Sequence, residues 1–189
     1  SPGFTRAPFT FKLRFALVQR VGGENHFAPE SRVTMTFDDI TFLGNQALLA
    51  LPKTAFLSSR RIPPEAVLKC YDWATDQRDA GRCVISGFHS DLEKDVLRFL
   101  LKGSQPMIVV LARRLYDQIP EEFGAALDAG RLLIVSTSSA ARASDSTTRT
   151  RNRYIVAHAD HVVVGALTPN GKLASLIATL PSVKVSMLK

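Results

Sequence analysis

Two short strings hold the densest chemistry in the chain, Ser58-Ser59-Arg60 and Arg151-Asn152-Arg153. Hydroxyls, backbone N–H groups and guanidinium forks are the donors that phosphate oxygens need. Further clusters of similar make-up are Ser86-Gly87-Phe88-His89, Arg113 with Arg114, and Asn170-Gly171-Lys172. A glycine directly after an apolar run lets the backbone approach a ligand, or simply permits a tight turn. Acids are scarce in these clusters. The nearest carboxylates, Asp91 and Asp145, belong to no acid/base pattern. The chain has no G-x-S-x-G elbow, no phosphate-loop string, no H-E-x-x-H and no G-x-G-x-x-G. Binding without turnover is therefore expected, with no cofactor and no metal. Cys70 and Cys83 make neither a metal spacing nor a disulfide framework, which suits a reducing cytoplasm.

Each cluster also has a plainer reading. Ser90-Asp91-Leu92-Glu93 fits the S-x-x-E capping box, which by itself explains Ser90 and Glu93. His89 reads as a surface loop residue. Asn170 can cap the last helix. The run from Arg149 to Arg153 suits a solvated helix face as well as a binding site. Phe88 and Tyr154 are aromatic side chains near the same edge, able to stack on bases or to join the core; Tyr154 reads as core.

Short apolar runs alternating with helical patterns must position these clusters. Residues 55–58, 82–86, 106–112, 132–136, 161–167 and 183–188 read as strands. Helices are expected over residues 63–80, 92–101, 120–129 and 147–158. Another follows from Leu173, Leu176, Ile177 and Leu180 at i, i+3, i+4 and i+7. Continuous apolar strands alternating with helices define a doubly wound, Rossmann-like α/β domain, mostly parallel, with helices on both faces. It is expected over residues 43–189, after an N-terminal extension of residues 1–42 in which residues 9–18 could be a strand. Residues 1–3 are set aside as a processing remnant. The Ser- and Thr-rich residues 138–150 read as a mobile loop. In such a sheet ligands bind outside the carboxyl ends of the strands, where these polar clusters fall.

Lys and Arg outnumber Asp and Glu by 24 to 17, a net charge of +7, so an anionic partner is favoured and nucleic acid comes first. No apolar run reaches the roughly 18 residues of a membrane helix, so no membrane role is expected.

With these loops read, the chain resembles the DNA-processing protein A (DprA, or Smf) family and its wider superfamily, which includes the LOG phosphoribohydrolases. Leu43-Gly44-Asn45 with Leu48-Leu49 is similar to the family's entry segment, and Ser58-Ser59-Arg60 to its G-S-R. Val84-Ile85-Ser86-Gly87 is similar to its strand and S-G turn. Arg151-Asn152-Arg153-Tyr154-Ile155-Val156-Ala157 matches R-N-R-x-I-x-A, the most specific piece. Two departures stand out. Phe88 to Lys94 replaces the glycine-rich G-I-D segment, and the turn after residues 161–167 is T-P-N-G-K. The LOG signature is absent, and residues 168–176 contain no glutamate. The resemblance implies single-stranded DNA binding, a homodimer and a RecA-type recombinase as partner in DNA uptake. The strand-end clusters and the resemblance together place phosphate contacts at Ser58, Ser59, Arg60, Ser86, Gly87, Phe88, His89, Arg113, Arg151, Asn152, Arg153, Asn170, Gly171 and Lys172. A small-nucleotide sensor is the alternative, and a LOG-like hydrolase a more distant one.

Overall fold

The computed structural model describes residues 9–15, 18–21, 24–27, 31–37 and 40–188, those before residue 40 as backbone alone. Residues 1–3 lie outside the described residues. Four strands come first: β1 (Phe9–Phe15), β2 (Val18–Val21), β3 (Glu24–Phe27) and β4 (Ser31–Phe37). β1 pairs antiparallel with β4, and β2 with β3.

The main sheet contains β5 (Thr41–Gly44), β6 (Lys53–Leu57), β7 (Cys83–Ser86), β8 (Met107–Leu111), β9 (Leu132–Ser136), β10 (His161–Val164) and β11 (Val185–Met187). Its order is β11-β10-β6-β7-β8-β9-β5. All pairs are parallel except β5 with β9. The helices are α1 (Pro64–Asp79), α2 (Asp91–Leu101), α3 (Gly124–Asp128), α4 (Asp145–His158) and α5 (Lys172–Ile177).

Strand alternation sorts the core into two layers. Phe56, Val84, Met107, Val109, Leu132, Ile134 and Val163 face a cluster with Trp73, Leu92, Val96, Leu100 and Ala126 of α1–α3. The intervening residues, among them Ala55, Leu57, Ile85, Ile108, Val110, Leu133, Val135 and Val164, face Tyr154 and Ile155 of α4 and the half-buried Leu173 and Ile177 of α5. Sandwiching the sheet leaves the central strands apolar on both sides, so they read as unbroken apolar runs. The chain winds β6 to β9 in one direction and then returns to lay β10 beside β6. That return makes the β6/β10 boundary the topological switch point, where open α/β sheets take their ligands.

Several elements differ from expectation. The strand expected over residues 161–167 ends as regular strand at Val164, although contact with the β6 side continues beyond it: Gly165 N donates to Leu57 O and Ser59 N to Ala166 O. The expected loop 138–150 is helical from Asp145, where Ser144 and Thr147 form a reciprocal cap. The segment expected as helix 120–129 is a 3₁₀ turn, Glu121–Phe123, running into the short α3. α5 stops before Leu180, and the last strand, β11, has only three residues. β5 was not expected as a strand at all, and it spans the anticipated boundary at residue 43. It ends at Gly44, whose φ of +100° suits only glycine and where a Cβ would lie 2.3 Å from Leu132 O. Among the described residues no helix is long and apolar enough to cross a membrane.

Candidate nucleic-acid interface

Three loops meet at the switch point, those after β6, β7 and β10. The β6 and β10 loops are tied directly, since Ser59 Oγ accepts from Thr168 N at 2.9 Å. The β6 and β7 loops are tied by one side chain from α2. Glu93 is 4% exposed, and its Oε1 accepts from Ser58 N at 3.2 Å. Its Oε2 accepts from His89 N at 2.9 Å and from Ser90 N at 3.1 Å. Ser90 Oγ accepts from Glu93 N, so the capping box read from the sequence is present. The carboxylate does more than cap: it joins two strand-end loops.

Arg151 approaches from α4. Residues 151, 154, 155 and 158 recur at i, i+3, i+4 and i+7, so Arg151 falls on the buried stripe of the helix. It is 6% exposed. Its Nε and Nη2 both donate to Asn152 Oδ1, at 3.0 and 2.9 Å. The guanidinium lies against Gly87: a Cβ there would sit 2.7 Å from Cζ and 2.8 Å from Nε and Nη1. Only a residue without a side chain admits this approach. Among the described residues no carboxylate lies within ion-pair distance of Arg151. Burial lowers its affinity for the proton, the charge of Glu93 offsets this in part, and Arg60 adds to the lowering.

Outside this centre lies an exposed rim. His89 is exposed, and its pKa is held below the ordinary value by partial burial and then by Arg151, against the opposing charge of Glu93; Arg60 and Lys94 add to the lowering. Asp145 is held below the usual carboxylate range by its hydrogen bond from Lys172 Nζ, with Arg149 and Arg60 contributing. Lys172 is thus paired with Asp145, with Arg149 and Arg60 near enough to act on the same carboxylate. Arg149 was read as part of a possible solvated face, and the structure brings it to the rim.

The other anticipated residues are placed as follows. Ser58 and Ser86 are buried, and Ser86 Oγ accepts from Phe88 N at 3.3 Å. Phe88 has a φ of +43° and its ring is buried in the core, so it offers no face for a base. Tyr154 is fully buried, as read. Asn152 orients Arg151, while Arg153 is exposed one turn beyond Arg149. Arg113 at the end of β8 lies over the Tyr116 ring, 4.6 Å from its centroid. Asn170 is exposed with φ +57°, and Gly171 N donates to Thr168 O just before α5. Glu93 is the residue whose role at the site the sequence reading missed. The signal was its place in the string that replaces the glycine-rich segment.

Burial pushes the thiols of Cys70 and Cys83 up to about 11, so both are protonated at neutral pH. Among the described residues no group of three His, Cys, Asp or Glu side chains could hold a metal. A cleft of about 650 Å³ lies at the opposite, amino end of the sheet, lined by residues including Thr54, Asp76, Arg82 and His161. It mixes both signs of charge and holds none of the clusters above.

Fold and site together define a Rossmann-like α/β domain with a cationic switch point. No protein-family profile and no curated protein matches the sequence. Solved structures do match. DNA processing protein A from Helicobacter pylori superposes with a TM-score of 0.61 at 20% identity, covering 78% of this chain and 70% of that one. DNA processing protein A from Streptococcus pneumoniae gives 0.59 at 20% identity, covering 74% of this chain. The match spans half of the S. pneumoniae chain. The molybdenum cofactor binding protein from Rippkaea orientalis gives 0.50 at 14% identity, covering 72% and 76% of the two chains. The chain shares the fold of these proteins.

Proposed function

We propose that this chain is a DprA-like DNA-processing protein that binds single-stranded DNA along the carboxyl ends of β6, β7 and β10. The observation that carries this is Arg151, a buried guanidinium with a neutral amide as its hydrogen-bond partner and no carboxylate in ion-pair range among the described residues. A buried cation without an ion-paired carboxylate is costly, the charge of Glu93 offsets that cost only in part, and a bound anion would complete it. Arg60, Arg149 and His89 surround it with more positive or protonatable groups. A phosphodiester backbone supplies anions at repeated spacing and fits such a rim. The H. pylori protein of the same fold is described for its single-stranded DNA binding mode. With Phe88 and Tyr154 buried, recognition rests on phosphates, so binding is salt-sensitive and indifferent to sequence. Binding without turnover is part of this reading, supported by the use of the Glu93 carboxylate as a backbone acceptor. Recombinase loading and a homodimer rest on the family resemblance alone, and a cytoplasmic setting on the free Cys70 and Cys83.

The test is fluorescence anisotropy of labelled oligo-dT, competed by duplex DNA and by thymidine monophosphate. Competition by unlabelled oligo-dT but by neither of the others is expected. Displacement by the mononucleotide at comparable concentration would instead favour the sensor reading.

Two further results are expected. Gly87→Ala must push the Arg151 guanidinium from its seat, because the added Cβ would meet it at 2.7–2.8 Å. The atoms that move are the tip of a side chain, so the melting temperature should hold. The loss of one charge-assisted contact should weaken oligo-dT binding about tenfold. Equal affinity in a folded Gly87→Ala variant would remove Arg151 from the site.

The second concerns pH. In the free protein partial burial first, and then Arg151 and Arg60, disfavour a proton on His89; the part due to the arginines is the repulsion that a phosphate can offset. A bound phosphate offsets that repulsion and raises the His89 pKa, so binding takes up a proton. Affinity should be flat above about pH 7.5 and rise several-fold below about pH 6.5. Titrations of the wild type and His89→Gln across that range check it, and the variant should lose the rise.

A further inference from the structure

Phosphate-binding α/β proteins commonly seat an anion on backbone N–H groups at a strand end and a helix N-terminus. This fold builds that cradle from Ser58 N, after β6, and from His89 N and Ser90 N, at the start of α2. All three donors are taken by the carboxylate of Glu93, a side chain of the same helix that is 4% exposed. The arrangement has the parts of an anion site, namely convergent backbone donors, the positive end of an eleven-residue helix and a buried arginine nearby. Its occupant is covalently attached.

We propose that Glu93 is a built-in anion that fills the inner phosphate cradle and sets the specificity of the crevice. With the cradle occupied, a terminal phosphate or a mononucleotide finds no seat among the backbone donors. Only the outer groups, Arg151 Nη1, Arg60 and the rim, stay open to an anion. Each gives a weak contact by itself, and a polymer that meets several at once gains what a monomer cannot. The inference deepens the DNA-binding reading, yet its core claim concerns small anions and can be tested without DNA.

The experiment uses the full chain and its Glu93→Ala variant, with thermal unfolding measured against sodium formate and against inorganic phosphate, and sodium chloride as the ionic-strength control. Removing the side chain should open the cradle. The melting temperature of Glu93→Ala should then rise with formate by about 3–5 °C per tenfold concentration above its dissociation constant, and phosphate should act likewise. The wild type should respond at least tenfold more weakly to both anions. Ser90→Ala keeps the carboxylate in place, so it should be less stable than wild type without gaining a formate response. If Glu93→Ala is unfolded in plain buffer, formate is expected to restore its far-UV spectrum. A folded variant blind to both anions, one that no anion refolds, or a wild type that binds thymidine monophosphate as tightly as the variant does would each overturn the proposal. Failure of oligo-dT binding with formate rescue intact would refute the DNA reading and leave the role of Glu93 standing.

Discussion

With Arg60, Arg151 and Arg153 replaced together by alanine, the chain is expected to stay folded and to bind oligo-dT about a hundredfold more weakly at low salt. The three residues differ in kind. Arg151 is buried and pre-oriented by Asn152 Oδ1, so it gives up little freedom on meeting a phosphate. Arg60 and Arg153 are exposed, and their contribution is screened by salt. The signature is therefore the salt dependence as much as the affinity. Each lost phosphate contact on a single strand removes about 0.7 from the slope of log affinity against log salt, so the triple variant should flatten it by about two units. All sequences should weaken alike. A folded triple variant with the wild-type slope would place the DNA elsewhere on the molecule.

The second large effect is on stability. Glu93→Ala strips the acceptor from Ser58 N, His89 N and Ser90 N at once. Leaving three such donors without a protein partner is expected to cost about 3–5 kcal/mol, a fall of roughly 10 °C in melting temperature. Ser90→Ala removes only the other half of the cap and should cost about 1 kcal/mol. The contrast separates two readings. A residue that merely caps α2 would give similar losses in the two variants. A residue that ties the β6 loop to α2 gives a much larger loss at Glu93. Thermal or urea unfolding of the pair, without added carboxylate or phosphate buffers, decides between them.

Much of the sheet was legible because its central strands are buried on both sides, which writes continuous apolar runs into residues 55–57, 83–85, 107–111 and 132–135. The peripheral elements were harder. β5 is a four-residue antiparallel edge strand, too short for any alternation to register, and its end depends on the backbone conformation of Gly44. α5 was overextended because Leu180 keeps the helical spacing although the helix ends at Ile177. At the site, the positions of Ser58 and Gly87 followed from the ends of β6 and β7, whereas Arg151 reaches it from α4. The burial of Arg151 could also have been read, since it shares the i, i+3, i+4, i+7 stripe with Tyr154, Ile155 and His158. The inward turn of Phe88 could not, because it depends on a positive φ at a non-glycine residue. Glu93 shows the limit most clearly. A capping box explains it fully at the level of four residues, and only the tertiary contact with Ser58, 35 positions away, reveals the second task.

The most direct measurement is amide hydrogen exchange of the full chain with and without saturating oligo-dT. Binding at the switch point predicts new protection in residues 59–61, 87–89 and 168–172, and in the first turns of α4. Residues around the opposite cleft, near Asp76 to Arg82 and His161, should exchange as before. Protection confined to that amino end of the sheet, with the three strand-end loops unchanged, would contradict the assignment of the interface.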